Sequence, residues 1–220
     1  MTVEDLLKNN ILPLQFADKV SFALGSMDEL KLKHLPVVDG DIFRGLVNEG
    51  RLTAIDDEES GMDEAGIRPD PVFIGKDRSI HDLLRLMTLG RFTMVPVLDE
   101  NGLYCGYVTA ERLLLELGLL LSADSGGGIL ELEMAAEDYH LSEIAQILES
   151  DGLRALNVCM RPLPESTRVK VLIKTHSRDL SRALHTFARY EYTVRLAEFD
   201  DVHDLQLNER YELLMRYLNV

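Results

Sequence analysis

The sequence predicts an α+β chain of two tandem β-α-β-β-α repeats, followed by a separate β-α-β-β-α-β unit and a C-terminal helix. Three observations predict it. The first is internal repetition: His34-Leu35-Pro36-Val37-Val38-Asp39 is answered by Met94-Val95-Pro96-Val97-Leu98-Asp99, and Gly45-Leu46-Val47-Asn48-Glu49-Gly50-Arg51-Leu52 by Gly106-Tyr107-Val108-Thr109-Ala110-Glu111-Arg112-Leu113. Upstream, Val20, Ala23, Leu24 and Met27 occupy the places of Ile80, Leu83, Leu84 and Met87. The second is the run Ser122-Ala123-Asp124-Ser125-Gly126-Gly127-Gly128, which reads as a linker. The third is the change of pattern beyond that run.

Each repeat can be read element by element. The upstream block recurs at helical spacing with one apolar face. The Pro-led block is short and β-rich. Asp39-Gly40-Asp41 in the first copy and Asp99-Glu100-Asn101-Gly102 in the second signal a tight return into a strand starting at Gly45 or Gly106. A second helix follows each of these strands. In the second copy it runs from Glu111 to Leu121, is apolar nearly all round, and is expected to be buried between repeats or subunits. Thr2-Val3-Glu4-Asp5 has the form of an acidic capping box and predicts a short opening helix. Asp56 to Glu64 carries mostly acidic residues and reads as a solvated connector. The repeats are placed at residues 1–60 and 61–121, with the linker at 122–128.

The third unit, residues 129–200, opens on an alternating strand, Ile129 to Ala136, with Glu131 and Glu133 outward. Leu141, Ile144, Ala145 and Leu148 form a helical stripe ended by Asp151-Gly152. Strands near Ala155 to Met160 and Arg168 to Thr175 flank the turn Pro162-Leu163-Pro164. A helix from about Leu180 to Tyr190 and a strand from Tyr192 to Phe199 complete a split-βαβ, ferredoxin-like order. Residues 201–220 carry Leu207, Tyr211, Leu214 and Leu218 on one helical face.

Composition narrows the function. A hydrophobic fraction of 46% and a charged fraction of 28% are those of a globular protein. The formal net charge of −15, with no Lys/Arg stripe, disfavours a nucleic-acid polymer as partner, while a local cationic pocket for a small anion stays open. No signal peptide or apolar run of membrane-spanning length is visible, and a cytoplasmic chain without membrane association is expected. Cys105 and Cys159 sit in apolar strand-like runs and read as buried free thiols of a reducing compartment. The histidines His34, His81, His140, His176, His185 and His203 show no metal-binding spacing, and nucleophile-elbow, P-loop and dinucleotide motifs are missing. The reading is therefore non-enzymatic, with no required cofactor, no catalytic residue and no metal.

On these motifs residues 1–121 resemble a pair of CBS domains. The resemblance implies a pseudo-twofold disc whose cleft binds an adenosine-containing ligand such as AMP, ADP, ATP or S-adenosylmethionine. The family's strand-end motif is Gly-apolar-apolar-Thr-x-x-Asp, with Thr on phosphate and Asp on ribose. Thr109 matches the Thr in repeat two, while Asn48 stands there in repeat one. Arg51 and Arg112 replace the Asp, and a guanidinium, having only donors, cannot accept hydrogen bonds from a diol. Two readings stand: Arg51 and Arg112 clamp a more anionic ligand, or they pair with local acids such as Glu49 and Glu111 and the cleft is vestigial. His34, Pro36, Met94 and Pro96 fall on the family's adenine-contacting strand and join the candidate set, His34 also reading as an ordinary packed residue. Residues 129–200 resemble an ACT domain in element order, although the loop Glu137-Asp138-Tyr139-His140-Leu141 lacks the glycine of amino-acid-binding members. The order CBS, CBS, ACT resembles the acetoin-utilisation-type regulatory family. It implies a regulatory sensor that is a homo-oligomer, a dimer by preference, acting on an unidentified partner protein. An oligomerisation scaffold without a small ligand is the alternative.

Overall fold

In the computed structural model, which describes residues 1–200, the chain divides into two compact units, with the boundary between Glu116 and Leu117. The C-terminal helix expected at 201–220 lies outside the described residues.

The first unit is built on two β-hairpins. Repeat one supplies helix α1 (Val20–Leu30), strands β1 (His34–Asp39) and β2 (Ile42–Asn48) and the short helix α2 (Glu49–Leu52). Repeat two supplies β3 (Ile74–Gly75), α3 (Ile80–Gly90), β4 (Met94–Leu98), β5 (Tyr104–Thr109) and α4 (Ala110–Leu120). β1 pairs β2 and β4 pairs β5, both antiparallel, and β3 joins β4 in parallel. The counterpart of β3 in repeat one shrinks to a single parallel bridge between Leu14 and Val37. Each hairpin has an irregularity at the same place, at Val37/Val38 and at Val97/Leu98.

The lead-in segments cross over. Leu46 and Asp70 exchange backbone hydrogen bonds of 2.8 Å each way, so the approach to repeat two lies on the hairpin of repeat one. Lys8 and Tyr107 exchange bonds of 3.0 and 2.8 Å, so the approach to repeat one lies on the hairpin of repeat two. This crossing explains the repeated glycine. A Cβ on Gly45 (φ +140°) would stand 2.5 Å from Pro69 Cβ, and one on Gly106 (φ +145°) 2.2 Å from the Lys8 carbonyl oxygen. Both the backbone angle and the close approach demand glycine. The core beneath draws on both repeats: Val20, Met27, Leu35, Val47, Met94 and Tyr107 pack in one cluster.

The short opening helix is present as one 3-10 turn, Val3–Leu6, with the Thr2 amide donating to Asp5 Oδ2 at 2.8 Å. Three other expectations need correction. The second helix of repeat one lasts four residues, because the acidic run beyond Thr53 leaves no apolar stripe to bury. The acidic connector is docked. Carbonyls of Ser60 and Glu58 accept from the amides of Val20 and Ser21, the first turn of α1, where the N-cap Lys19 makes no side-chain bond. Met62, in the same connector, is fully buried. Finally, of the two coverings expected for α4, repeats or subunits, the repeats do not supply one. Leu113 alone is buried in α4, and Leu114, Leu115, Leu119 and Leu120 are exposed.

The second unit has the order β6 (Gly127–Ala135), α5 (Leu141–Ser150), β7 (Ala155–Pro162), β8 (Arg168–Thr175), α6 (Ser181–Arg189) and β9 (Thr193–Asp200). These strands form one antiparallel sheet in the order β7-β8-β6-β9. Alternation puts Leu130, Leu132 and Met134 of β6 with Val169, Val171 and Ile173 of β8 into one core with α5 and α6. The opposite face carries charge. Glu133 accepts from Arg168 Nε and Arg195 Nε, each at 2.7 Å, and Glu131 pairs Lys170. Gly127 and Gly128, expected in the linker, are buried residues of β6, so the Gly/Ser run contributes to the sheet.

Candidate functional site

The candidate residues gather at the open ends of the two hairpins in the first unit. His34 and Asn48 are partners across β1 and β2, and Met94 and Thr109 are partners across β4 and β5. α2 and α4 start at these points, which puts Arg51 and Arg112 one turn further on. Asn48 caps α2, its Oδ1 accepting from the Arg51 amide at 2.9 Å. Thr109 Oγ1 accepts from the Arg112 amide at 3.2 Å. Both caps meet the orphan first-turn donors of a helix. Once they do so, Asn48 retains its NH₂ and Thr109 its hydroxyl proton as donors.

The hairpin ends also meet each other. The amide of Lys33 donates to Thr93 Oγ1 at 3.0 Å, and His34 Nδ1 lies 3.1 Å from the same hydroxyl. The amide of Thr93 donates to His34 Nδ1 at 3.3 Å. With Nδ1 accepting, the neutral ring carries its proton on Nε2, an assignment made from the hydrogen-bond network. Burial pushes the His34 pKa down, partly opposed by the nearby Asp70 carboxylate. The Phe92 ring meets the imidazole edge-on at 5.3 Å.

The two arginines are held differently from the expected acid pairing. Arg51 donates through Nη1 to the Arg68 carbonyl at 2.8 Å and through Nη2 to Asp70 at 2.9 Å, while Glu49 instead lies 4.0 Å from Lys33. Arg112 lies 3.4 Å from Glu116, one helical turn on, and not on Glu111. Each guanidinium keeps N–H groups beyond these contacts, since it carries five donors. Pro36 and Pro96 are buried at mid-strand, opposite Leu46 and Tyr107, and Met94 is fully buried in the shared core. Those three act here through packing and backbone.

Sequence reasoning missed Arg68, Asp70, Phe92 and Thr93. Asp70 lies in Pro69-Asp70-Pro71, and prolines on both sides favour an extended strap. That was the available signal. Among the described residues no group of three His, Cys, Asp or Glu side chains is placed to hold a metal. Of the cysteines, Cys105 is half-buried and Cys159 is exposed, so burial fails for the second; both are free thiols. No described helix is long and apolar enough to cross a membrane.

The second unit has a cleft of about 490 Å³ where β6 ends and α5 begins. The loop containing Asp138 and His140 rims it, with Glu143 and Tyr192. Burial, and a hydrogen bond to Glu143, push the Tyr192 hydroxyl up to about 12.

Comparison with known proteins bears on the first unit. Residues 64–118 match the family model of the CBS domain. No curated protein matches the chain. Among solved structures, a CBS domain pair/ACT domain protein from Thermotoga maritima is 23% identical, over 53% of this chain and 96% of that one, with a TM-score of 0.46. CBSX2 in complex with AMP is 24% identical over 53% of this chain and 95% of its own, also at 0.46. The CBS domains of a transcriptional regulator from Streptococcus pneumoniae are 22% identical over 52% and 98%, again at 0.46. The chain is thus a mixed α+β protein with a CBS domain in its second repeat and CBS-pair proteins among its structural neighbours.

Proposed function

We propose that this protein is a non-enzymatic regulatory sensor whose paired repeats bind an adenosyl nucleotide or a related anion. One observation carries the reading. The two hairpin ends come together and present donors: Asn48 NH₂, the Thr109 hydroxyl, the remaining N–H groups of Arg51 and Arg112, and Nε2–H of His34. Such donors suit phosphate oxygens. The ligand is held by its anionic end. Asp70 orients Arg51 while leaving guanidinium edges open.

Binding acts as a signal only if the ligand prefers one arrangement of the repeats over another. The His34–Thr93 contact joins the repeats at the site, and a ligand there favours the arrangement in which that contact is made. The response passes to an oligomer contact or to a partner protein in the cytoplasm. The second unit reads as an ACT-like domain on its element order and sheet order, in an acetoin-utilisation-type arrangement.

The scaffold reading has its own support, because both arginines already have acidic neighbours, Asp70 and Glu116. An Arg51→Ala/Arg112→Ala variant separates the two. Calorimetric titration of AMP and ATP should show affinity falling at least roughly tenfold, as expected when charge-assisted bonds of about 1.5–3 kcal/mol are lost, with oligomer size unchanged. Unchanged affinity would remove the arginines from the site, and absence of binding in the parent protein would favour the scaffold.

A further inference from the structure

One side of α4 is apolar and uncovered. Leu114, Leu115, Gly118, Leu119 and Leu121 follow at helical spacing, which keeps all five on that side. The amide of Leu121 donates to the Leu117 carbonyl at 2.9 Å, so it continues the helical ladder. Leu114 is 69% and Leu121 46% exposed, with Leu115 and Leu119 between them. Isolated exposed leucines are ordinary, but four side by side form a patch. Gly118 lies at its centre. Glycine weakens a helix relative to alanine. No left-handed angle calls for it here, and among the described residues a Cβ built on it meets nothing within 4 Å. A glycine with open space above it lets a large side chain or a second backbone come close.

Strand register brings an occupant to the same end of the helix. Ser122 (φ +53°) turns the chain out of α4. Its amide donates to the Leu119 carbonyl at 3.0 Å, and the Ala123 amide to the Gly118 carbonyl at 2.9 Å, the two bonds of a Schellman stop. β6 then begins at Gly127, whose partner across the ladder is Asp200, the last residue of β9. From Leu121 to Gly127 the chain reaches at most about 20 Å. Residues 201–220 therefore start beside the C-terminal end of α4. Their sequence places Leu207, Tyr211, Leu214 and Leu218 on one helical face. As a helix that stripe would be about 16 Å long, enough to cover the α4 patch of about 10 Å.

We propose that residues 201–220 form a helix that packs antiparallel along the leucine side of α4, with Tyr211 over Gly118. Residues 201–206 make the reversal. Leu207 then meets Leu121, and Leu214 meets Leu114 and Leu115. Each stripe removes the other from water. A short tether holds the segment at an effective concentration on the order of millimolar, which favours it over the same segment of a second copy at micromolar protein. The proposal does not depend on any ligand at the hairpin ends.

The chain has no tryptophan, so Tyr211→Trp in the full chain gives a unique reporter. Its emission should be blue-shifted and poorly quenched by acrylamide. Adding Leu115→Glu and Leu119→Glu should shift the emission to the red and raise quenching severalfold. Gly118→Leu, which adds apolar surface but fills the gap, should do the same. All three positions lie on the surface of α4, and circular dichroism confirms that the variants fold. Mixing the doubly charged reporter variant with excess parent protein should leave its tryptophan exposed. A freely quenched tryptophan in Tyr211→Trp alone would overturn the proposal. So would protection indifferent to all the α4 changes, because the segment would then lie elsewhere. Recovery of protection on mixing would place it on a second copy, which also contradicts the proposal.

Discussion

His34 concentrates the physical argument at the scale of single residues. Its Nδ1 accepts from the Thr93 amide, and burial holds its pKa below the ordinary histidine value. A group whose folded pKa is depressed takes up protons more readily when unfolded, so stability falls as pH drops through the unfolded value near 6.5 toward the folded one. Thermal unfolding between pH 7.5 and 5.5 should therefore show a loss in the parent protein that is smaller in His34→Gln. Equal pH slopes would mean that His34 is not held neutral by its setting. The sequence showed His34 as a candidate on a strand. It could not show Thr93 as its partner, because that contact spans fifty-nine positions and depends on how the repeats meet. Arg51 is similar. Its departure from the family pattern was legible, but its pairing with Asp70 required knowing that the strap through Pro69 crosses back onto repeat one.

At the scale of elements, α1 and α3 are counterparts that solve the same problem differently. The first turn of α3 is capped locally, Ser79 Oγ accepting from the Asp82 amide at 3.2 Å. The first turn of α1 borrows carbonyls from the connector. Ser79→Ala should cost about 1 kcal/mol, the usual worth of such a cap. Met62→Ala should cost about 2–5 kcal/mol, because Met62 is a fully buried anchor of the connector. Urea unfolding measures both, and a Met62→Ala cost under about 0.5 kcal/mol, typical of a surface site, would restore the picture of a free connector. Helices and strands with a clear apolar period were readable: the stripes of α1, α3 and α5 and the alternation of β6 fall where their periodicity places them. Failures came where tertiary contact overrides local pattern. An acidic run looks solvated until its backbone is needed to cap a helix, and glycines in series look like a linker until a strand passes close to Thr175 and Leu180. In α4 the leucines marked apolar surface correctly, but periodicity does not say what covers it.

At the scale of the molecule, the repeat is the organising fact. It was visible in sequence because the crossing segments require glycine at Gly45 and Gly106, and the hairpins require Pro-led apolar strands beside them. Divergence between the copies falls at the helix starts, where Asn48 stands against Thr109. Thermal unfolding of the purified chain against AMP, ADP, ATP and S-adenosylmethionine decides whether the joined hairpin ends hold a nucleotide-like anion. A ligand at a hundred times its dissociation constant stabilises by about 2.7 kcal/mol, a rise of roughly 5–10 °C for a chain of this size. Such a rise is expected with at least one phosphate-bearing nucleotide, and a smaller one with S-adenosylmethionine, which has no phosphate. A flat response to all four would mean that the hairpin ends hold no nucleotide.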